Sequence, residues 1–207
     1  MAPHRGVVAG RRDELLSSRL VILLAGASGS GKSRVARLSG CPQLALDDFY
    51  FDGDHPALPH TLGIVDWDDI ASWDFSGALA AVTALCHTGR SSVPVYDIAT
   101  NARVGRRELN LGRSSRFLAE GVFAADLVAA CQEASLHVEA LYLDRPRNVT
   151  LALRFVRDLR EHRKPPWVLV RRGLARWRAE PEIRRHALEL GCRPVSMREA
   201  LALARAR

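Results

Sequence analysis

Short apolar runs alternate with longer segments of helical spacing along most of the chain. The apolar run at residues 20–26 ends in glycine and has the length of a fully buried parallel strand. The same pattern predicts further strands at residues 43–46, 93–95, 116–119, 137–143 and 192–195. Apolar positions three or four residues apart predict helices at residues 32–39, 76–87, 122–133 and about 147–162, with two more in the C-terminal segment.

Strands and helices that alternate at these lengths predict an α/β fold, with a parallel β-sheet of about five strands flanked by helices on both faces. In such sheets, ligands bind beyond the carboxyl ends of the strands. Gly26, Asp47 and Glu120 each end or follow a predicted strand. The sequence therefore predicts a ligand site at the strand ends that carry these three residues.

The composition is that of one soluble globular domain. Of 207 residues, 47% are hydrophobic and 26% are charged, so residues 1–207 are expected to form a single domain with a polar N-terminal arm at 1–18. No apolar run approaches the roughly 20 residues that a membrane span requires. The N-terminus lacks the long hydrophobic region of an export signal. A cytoplasmic location without membrane attachment is expected.

The cysteine spacing argues against a structural zinc site, and the charge distribution suggests an anionic partner. No two of the four cysteines lie within four residues of each other, so the paired spacing of a structural zinc site is missing. The net charge of +7 is uneven, because residues 145–207 hold 17 Arg or Lys against 6 Asp or Glu. This basic segment suggests a polyanionic partner, which could be nucleic acid or the phosphates of a nucleotide.

One segment between the first predicted strand and the first predicted helix matches the motif G-x-x-x-x-G-K-[ST] in full. Its residues are Gly26, Ala27, Ser28, Gly29, Ser30, Gly31, Lys32 and Ser33. The glycines let the backbone fold so tightly that consecutive N–H groups point at one anion, and the following helix adds its dipole. Lys32 is expected to reach the β- and γ-phosphates of ATP, and the Ser33 hydroxyl is expected to bind Mg²⁺.

A phosphate-binding loop alone does not separate kinases from GTPases or ATPase motors. A GTPase needs the guanine-reading sequence Asn-Lys-x-Asp, and the only lysine outside the loop is Lys164, which follows Arg163. An oligomeric motor usually needs a longer chain. A nucleotide-dependent kinase is therefore the favoured interpretation.

The sequence resembles the uridine/cytidine kinases and their relatives within the P-loop kinases. The likeness is carried by the loop at 26–33, Asp47-Asp48-Phe49-Tyr50, Pro94-Val95-Tyr96-Asp97 leading to Arg103, Arg154-Phe155-Val156-Arg157-Asp158 and, more weakly, Glu120-Gly121. Together these segments extend over about residues 20–163. The resemblance implies a P-loop NTPase fold with an arginine-bearing helical lid at about residues 145–166. It also implies transfer of the ATP γ-phosphoryl group to a nucleoside hydroxyl.

The resemblance assigns catalytic and metal-binding roles to four residues outside the loop. Asp47 matches the aspartate that lies near Mg²⁺ and accepts the proton of the attacking 5′-hydroxyl, and Glu120 matches the acidic Mg²⁺ residue. Carboxylates at strand ends beside the loop suit both roles. Arg154 and Arg157 share one helix face and match lid arginines that act on the transferring phosphoryl group. The structural alternatives are a capping aspartate, a solvated glutamate and a solvated arginine face.

The acceptor pocket matches the family less well. Tyr96 matches a tyrosine beside the nucleobase, and Asp66 loosely matches an aspartate that binds the ribose hydroxyls, although the alignment could slide to Asp68. Arg103 is assigned to the same acceptor-binding group. Asn101 takes the place of a base-reading histidine and could still hydrogen-bond a base edge or an amide.

These departures leave the acceptor open. Ile98 replaces a family aromatic residue and removes stacking surface, so pantothenate, a sugar phosphate or another ribosyl compound is the alternative acceptor. The aromatic-rich stretch at residues 49–73 could cover the acceptor or anchor a long loop. A nucleotide-binding regulatory or nucleic-acid-associated protein is the alternative from another class. A nucleic-acid partner is nevertheless not expected, because the apolar stripe of the basic helix at residues 167–177 favours packing on the core. A homo-oligomer remains open.

Overall fold

The computed structural model describes residues 19–61, 63–160 and 166–205, and of residues 154–160, 166–176 and 179 it describes only the backbone. The strands in these ranges are β1 (Leu20–Ala25), β2 (Gln43–Ala45), β3 (His60–Thr61), β4 (Ile64–Val65), β5 (Arg90–Asp97), β6 (Ala102–Asn110), β7 (Arg116–Glu120), β8 (Val138–Leu143) and β9 (Arg193–Val195). The α-helices are α1 (Lys32–Ser39), α2 (Phe75–Thr88), α3 (Val128–Glu133), α4 (Arg147–Arg160), α5 (Pro166–Glu189) and α6 (Met197–Arg205). Short 3₁₀ turns occupy Leu46–Phe49, Ile70–Ser72 and Ala125–Leu127.

The centre of the fold is a parallel five-stranded sheet with the order β2-β7-β1-β8-β9. From β1 the chain passes outward to β2, returns to β7 beside β1, and then crosses to β8 on the other side. The central strand β1 therefore lies where the direction of the crossovers reverses, which is where open α/β sheets bind ligands. The predicted α/β fold with a parallel sheet of about five strands is confirmed.

Apolar side chains on both faces of β1 hold helices against the sheet. Ile22 and Leu24, fully buried, pack in a cluster that includes residues of α1 and α6. Val21 and Leu23 point to the other face, where the cluster includes residues of α2 and α3. Alternation of this kind is what a strand buried on both sides requires, since successive side chains point in opposite directions.

The predicted strand at residues 93–95 lies in β5, outside the central sheet. It pairs with β6 in an antiparallel hairpin whose register shifts between Val95 and Tyr96. The sequence did not predict β6, because most of its positions are exposed and charged or small, so no apolar alternation marks it. This hairpin packs beside the 3₁₀ turn Leu46–Phe49 and α2.

The predicted helix at residues 122–133 is wrong in its first six residues. A 3₁₀ turn occupies Ala125–Leu127, and the α-helix begins only at Val128. The Val122 backbone N–H donates to the Asp47 carboxylate, with 3.1 Å between N and Oδ1. Residues 121–124 therefore form a turn after the end of β7, and this turn lies against the segment that carries Asp47.

The C-terminal helices agree with the sequence as far as they are described. The predicted helix at about 147–162 appears as α4, and its last two predicted residues lie outside the described ranges, as do 1–18 and Lys164. None of the described helices has the length and apolar character needed to cross a membrane. Cys86, Cys131 and Cys192 are buried as free thiols.

Candidate active site

The phosphate-binding motif forms the loop between β1 and the N-terminus of α1, in the strand–loop–helix context that its sequence requires. Gly26, Gly29 and Gly31 have φ angles of 152°, 85° and 105°, values that residues with a side chain rarely adopt. A Cβ on Gly31 would also lie 2.7 Å from the Met197 side chain. Glycine is thus required here both by conformation and by space.

Two polar side chains of the loop are buried in a way that suits an anion. The Ser30 hydroxyl is buried and has no hydrogen-bond partner among the described residues, and a buried polar group of this kind needs a partner. The Lys32 side chain is only 6% exposed and its ammonium donates to the Gly26 and Ala27 carbonyls, at 2.7 and 3.3 Å. The loop therefore presents a buried hydroxyl and a buried cation at one helix N-terminus, as binding of a phosphate chain requires.

A hydrogen bond from the last residue of the motif, Ser33, joins the start of α1 to the end of β7. The Ser33 hydroxyl donates to Glu120 Oε1 at 2.9 Å, although the two residues are 87 positions apart in sequence. The same oxygen accepts a hydrogen bond from the Gln43 amide of β2 at 3.0 Å. The structure therefore brings the predicted residues Ser33 and Glu120 together and adds Gln43, which the sequence did not indicate.

Glu120 is the buried carboxylate of the site, at 6% exposure. Burial raises its pKa above the ordinary value for glutamic acid, and nearby Asp47 raises that pKa further, whereas Lys32 and the hydrogen bonds from Ser33 and Gln43 lower it. Asp47 is held at the same strand end, because it accepts the backbone N–H of Val122, two residues after Glu120. A partly compensated carboxylate of this kind favours a cation beside it.

Asp47 lies in the 3₁₀ turn that follows β2, and its side chain is exposed. Because Oδ1 accepts the Val122 N–H, the carboxylate is held at the carboxyl ends of β2 and β7 together. Gly121 makes this approach possible, since a Cβ there would lie 2.9 Å from Asp47 Oδ1 and 2.7 Å from the Leu46 Cβ. The exposed carboxylate remains accessible to a bound molecule.

The oxygen atoms of Ser33, Asp47 and Glu120 suit Mg²⁺, which prefers hard oxygen ligands. The described residues contain no group of three or more His, Cys, Asp or Glu side chains that could hold a metal ion alone. Mg²⁺ in nucleotide sites usually takes only one or two protein ligands and completes its shell with phosphate and water oxygens. The residues present therefore fit a magnesium ion that arrives with a nucleotide.

The predicted acceptor residue Tyr96 lies in an aromatic cluster with Tyr50 and Trp67. Its ring lies 5.9 Å from that of Tyr50 and 6.4 Å from that of Trp67, measured between centroids. The Tyr50 ring also contacts Phe123, and its hydroxyl donates to the Trp67 carbonyl at 3.2 Å. The Tyr96 hydroxyl is buried without a hydrogen-bond partner among the described residues. These aromatic rings pack mainly on one another. The cluster thus contains one buried hydroxyl, that of Tyr96, without a hydrogen-bond partner among the described residues.

Arg103, also predicted to bind the acceptor, makes its contacts within the protein. Its guanidinium donates to the Phe49 and Tyr50 carbonyls at 3.0 Å each and pairs with Asp74 at 3.2 Å. Its own backbone N–H donates to Asp52. Arg103 thereby joins β6 to the segment that follows Asp47 and to the first residue before α2.

The other two predicted acceptor residues lie in turns. Asp66 accepts hydrogen bonds from the Thr61 hydroxyl and the Asp68 N–H, at 3.0 and 3.1 Å. Asn101 has a positive φ of 50° in the turn between β5 and β6, and its carbonyl accepts the Gly53 N–H at 2.7 Å. Asparagine is one of the residues that tolerate this conformation. Both residues therefore have a structural role in their turns, and neither role requires a ligand.

The predicted lid arginines, Arg154 and Arg157, lie in α4, where only the backbone is described. The start of this helix is fixed by Arg147, whose guanidinium lies 3.9 Å from the centre of the Trp177 ring. The Trp177 indole N–H donates to the Asn148 side chain at 3.0 Å. These contacts tie α4 to α5 near the end of β8.

A parallel α/β sheet with a glycine-rich loop, lysine and serine at the end of its central strand defines an α/β protein of the P-loop NTPase fold. No family model matches the sequence. A uridine kinase from Ureaplasma urealyticum serovar 10 is 23% identical over 154 residues, which cover 71% of this chain and 72% of the relative. The predicted resemblance to uridine kinases is confirmed.

Solved structures share the fold. A candidate fructose transport system kinase from Silicibacter sp. TM1040 superposes with a TM-score of 0.59 at 23% identity, over 84% of this chain and 90% of that chain. The protein YGR205w superposes with a TM-score of 0.50 at 11% identity, over 94% of this chain and 91% of that chain. At these identities the likeness establishes the fold and leaves substrate choice to the side chains of the site.

Proposed function

We propose that this chain is an ATP-dependent small-molecule kinase that transfers the γ-phosphoryl group to a hydroxyl of a nucleoside-like acceptor. The observation that carries the proposal is the exposed Asp47 carboxylate, held beside the buried Glu120 and the phosphate-binding loop. A hydroxyl that enters next to Asp47 meets a phosphoryl group placed by Lys32 and Ser33. Phosphoryl transfer depends mainly on positioning and on stabilisation of charge, and these residues can supply both.

The loop residues bind and orient the donor nucleotide. Backbone N–H groups between Gly26 and Ser33 would hold the phosphates, and Lys32 supplies a buried cation in the same loop. When bound, Mg²⁺ neutralises charge on the β- and γ-phosphates and aligns them for in-line transfer. Ser33 and Glu120 would hold this ion, with Asp47 at its edge.

Asp47 prepares the acceptor. Its carboxylate accepts a hydrogen bond from the acceptor hydroxyl, which orients the oxygen lone pair toward the phosphorus atom, and it takes the hydroxyl proton as the new P–O bond forms. The Val122 N–H fixes one carboxylate oxygen and leaves Oδ2 for the acceptor. Arg154 and Arg157 are proposed to stabilise the charge on the transferring group from the lid.

A nucleoside is the leading acceptor, because a relative that matches 71% of this chain is named a uridine kinase. The aromatic rings around Tyr96 supply a surface for a base or a sugar, and the Tyr96 hydroxyl has no partner among the described residues. A sugar or sugar phosphate is the second candidate, favoured by the name of the Silicibacter protein and by Ile98, which is 62% exposed where an aromatic residue was expected. The phosphoryl-transfer residues are the same in both cases.

Acceptor-dependent ADP release tests the proposal. With Mg²⁺ and ATP, a panel of uridine, cytidine, fructose, sugar phosphates and pantothenate should contain one compound that raises ADP formation well above background. Asp47→Asn should reduce this turnover by about 10²–10⁴-fold, the usual contribution of a positioned general base. Asp54→Asn removes an exposed carboxylate of the same type and should leave turnover unchanged.

The experiment also separates the alternatives. Turnover with sugars alone would assign the second acceptor class. An absence of turnover with every compound, in a protein that still binds ATP, would contradict the kinase proposal. Salt-sensitive binding to nucleic acid that persists in Asp47→Asn would support the regulatory alternative. Against that alternative, Arg184, Arg185 and Arg193 in the basic segment pair with acidic side chains of the protein.

A further inference from the structure

The first residue of β2 is a glutamine whose amide lies beside a buried carboxylate of β7. Gln43 opens β2, pairs in register with Leu118, and points to the same face of the sheet as α1. Glu120 lies two residues after Leu118 on β7, so its side chain is on the same face of the sheet. The Gln43 side chain extends along the strand to reach it, and its Nε2 lies 3.0 Å from Glu120 Oε1.

The hydrogen bonds to Glu120 use its two oxygens unequally. Both Ser33 Oγ and Gln43 Nε2 donate to Oε1, and neither uses Oε2. Two donors at one oxygen restrict the rotation of the carboxylate group, and this limits the directions in which Oε2 can point. With Gln43 removed, the rotatable Ser33 hydroxyl would be the one side-chain donor left to this carboxylate among the described residues.

The same arrangement orients the Ser33 hydroxyl. A hydroxyl that donates its proton to Glu120 keeps its lone pairs for a cation. Outer groups that hold metal ligands in this manner tune metal affinity, although they never touch the ion. Gln43 is placed to do this for the pair Ser33 and Glu120.

We propose that Gln43 is a positioning residue for the magnesium site, acting through Glu120 on the binding of the metal–nucleotide complex. This inference rests on the proposed function, because it requires that Ser33 and Glu120 hold the ion. Gln43 itself contacts neither the ion nor the nucleotide. Its removal should therefore weaken metal binding and leave metal-free nucleotide binding intact.

The test uses Mn²⁺ as a paramagnetic probe in the presence of ADP. Gln43→Met and Gln43→Leu both remove the amide but differ in shape, so an effect that they share reports the lost hydrogen bond. Electron paramagnetic resonance of free Mn²⁺ measures the affinity for the ion, and calorimetry in EDTA measures ADP binding without metal. Gln132→Met makes the same chemical change at an exposed position of α3, away from the loop.

We expect both Gln43 variants to bind Mn²⁺ about 10- to 100-fold more weakly, the usual effect of losing such a partner. Metal-free ADP binding and the Gln132→Met control should remain within twofold of the wild type. Unchanged Mn²⁺ affinity in either folded Gln43 variant would overturn the inference. An equal loss of metal-free ADP binding would also overturn it, because that result indicates general distortion of the loop. If the wild type itself binds no Mn²⁺ with ADP, the proposed metal site fails first, and the inference with it.

Discussion

Arg103→Met separates two explanations for an arginine that the resemblance places at the acceptor. The guanidinium donates to the Phe49 and Tyr50 carbonyls and pairs with Asp74. If these contacts define its role, the substitution will lower the free energy of unfolding. It will change acceptor binding only through the position of the segment after Asp47.

The magnitude follows from the three contacts. Hydrogen bonds that involve a charged group contribute about 1.5–3 kcal/mol each when buried, and an ion pair that is 26% and 25% exposed contributes about 0.2–1 kcal/mol. Because the contacts share one side chain, their effects overlap. We expect a loss of about 2–4 kcal/mol, or roughly 5–15 °C in Tm for a chain of this size.

Urea unfolding followed by circular dichroism measures the loss. Arg113→Met is the matched control, since Arg113 is exposed in the turn after β6 and should change stability by less than about 0.5 kcal/mol. Suppose instead that Arg103→Met unfolds like the wild type while the KM for the acceptor rises tenfold. The structural account of Arg103 would then be refuted, and the guanidinium would belong to the acceptor site.

Three further predictions concern buried groups near or within the core. Gly121→Ala should reduce kcat at least tenfold in the ADP-release assay, because its Cβ would displace Asp47; unchanged kcat would contradict the placement of that carboxylate. Burial raises the pKa of Glu120, so its charge costs stability as pH rises above about 4.5, and Glu120→Gln should raise Tm at pH 8 with a gain that shrinks toward pH 4.5. If the Tm gain of Glu120→Gln instead grew as the pH fell, the prediction would be wrong. Burial also raises the thiol pKa values of three cysteines, to about 12, 11 and 11: Cys86, Cys131 and Cys192. A native thiol titration at pH 8 should therefore label Cys41 at most, whereas urea should expose all four.

The phosphate side of the site could be predicted from the sequence because it is local. Eight consecutive residues form the loop, and their glycines adopt the positive φ angles that the motif requires. The strand before the loop and the helix after it were also predicted, the latter with its observed bounds, Lys32–Ser39. Strand ends next to the loop then placed Asp47 and Glu120 near it, since parallel strands bring their carboxyl ends to one edge.

The contacts between distant segments could not be predicted in this way. Ser33 and Gln43 meet Glu120 across 87 and 77 positions of sequence, and a single amide in a short strand gives no signal of its partner. The start of the helix at residues 122–133 was misplaced for a related reason. The Val122 N–H bonds to Asp47, 75 positions away, and helical spacing carries no information about such a competing partner.

The predicted acceptor residues differ in how far contacts within the protein account for them. Asn101 is held by its backbone, with a positive φ and a carbonyl that accepts the Gly53 N–H, so its identity is accounted for by the turn before any ligand is considered. Arg103 is occupied by protein carbonyls. Tyr96 differs from both, because its buried hydroxyl has no partner among the described residues, and a buried hydroxyl in this state gains from a ligand that hydrogen-bonds to it. Among the predicted acceptor residues, Tyr96 is therefore the best candidate to hydrogen-bond a bound molecule. A substitution at Tyr96 should change the preference among acceptors more than a substitution at Asn101 does.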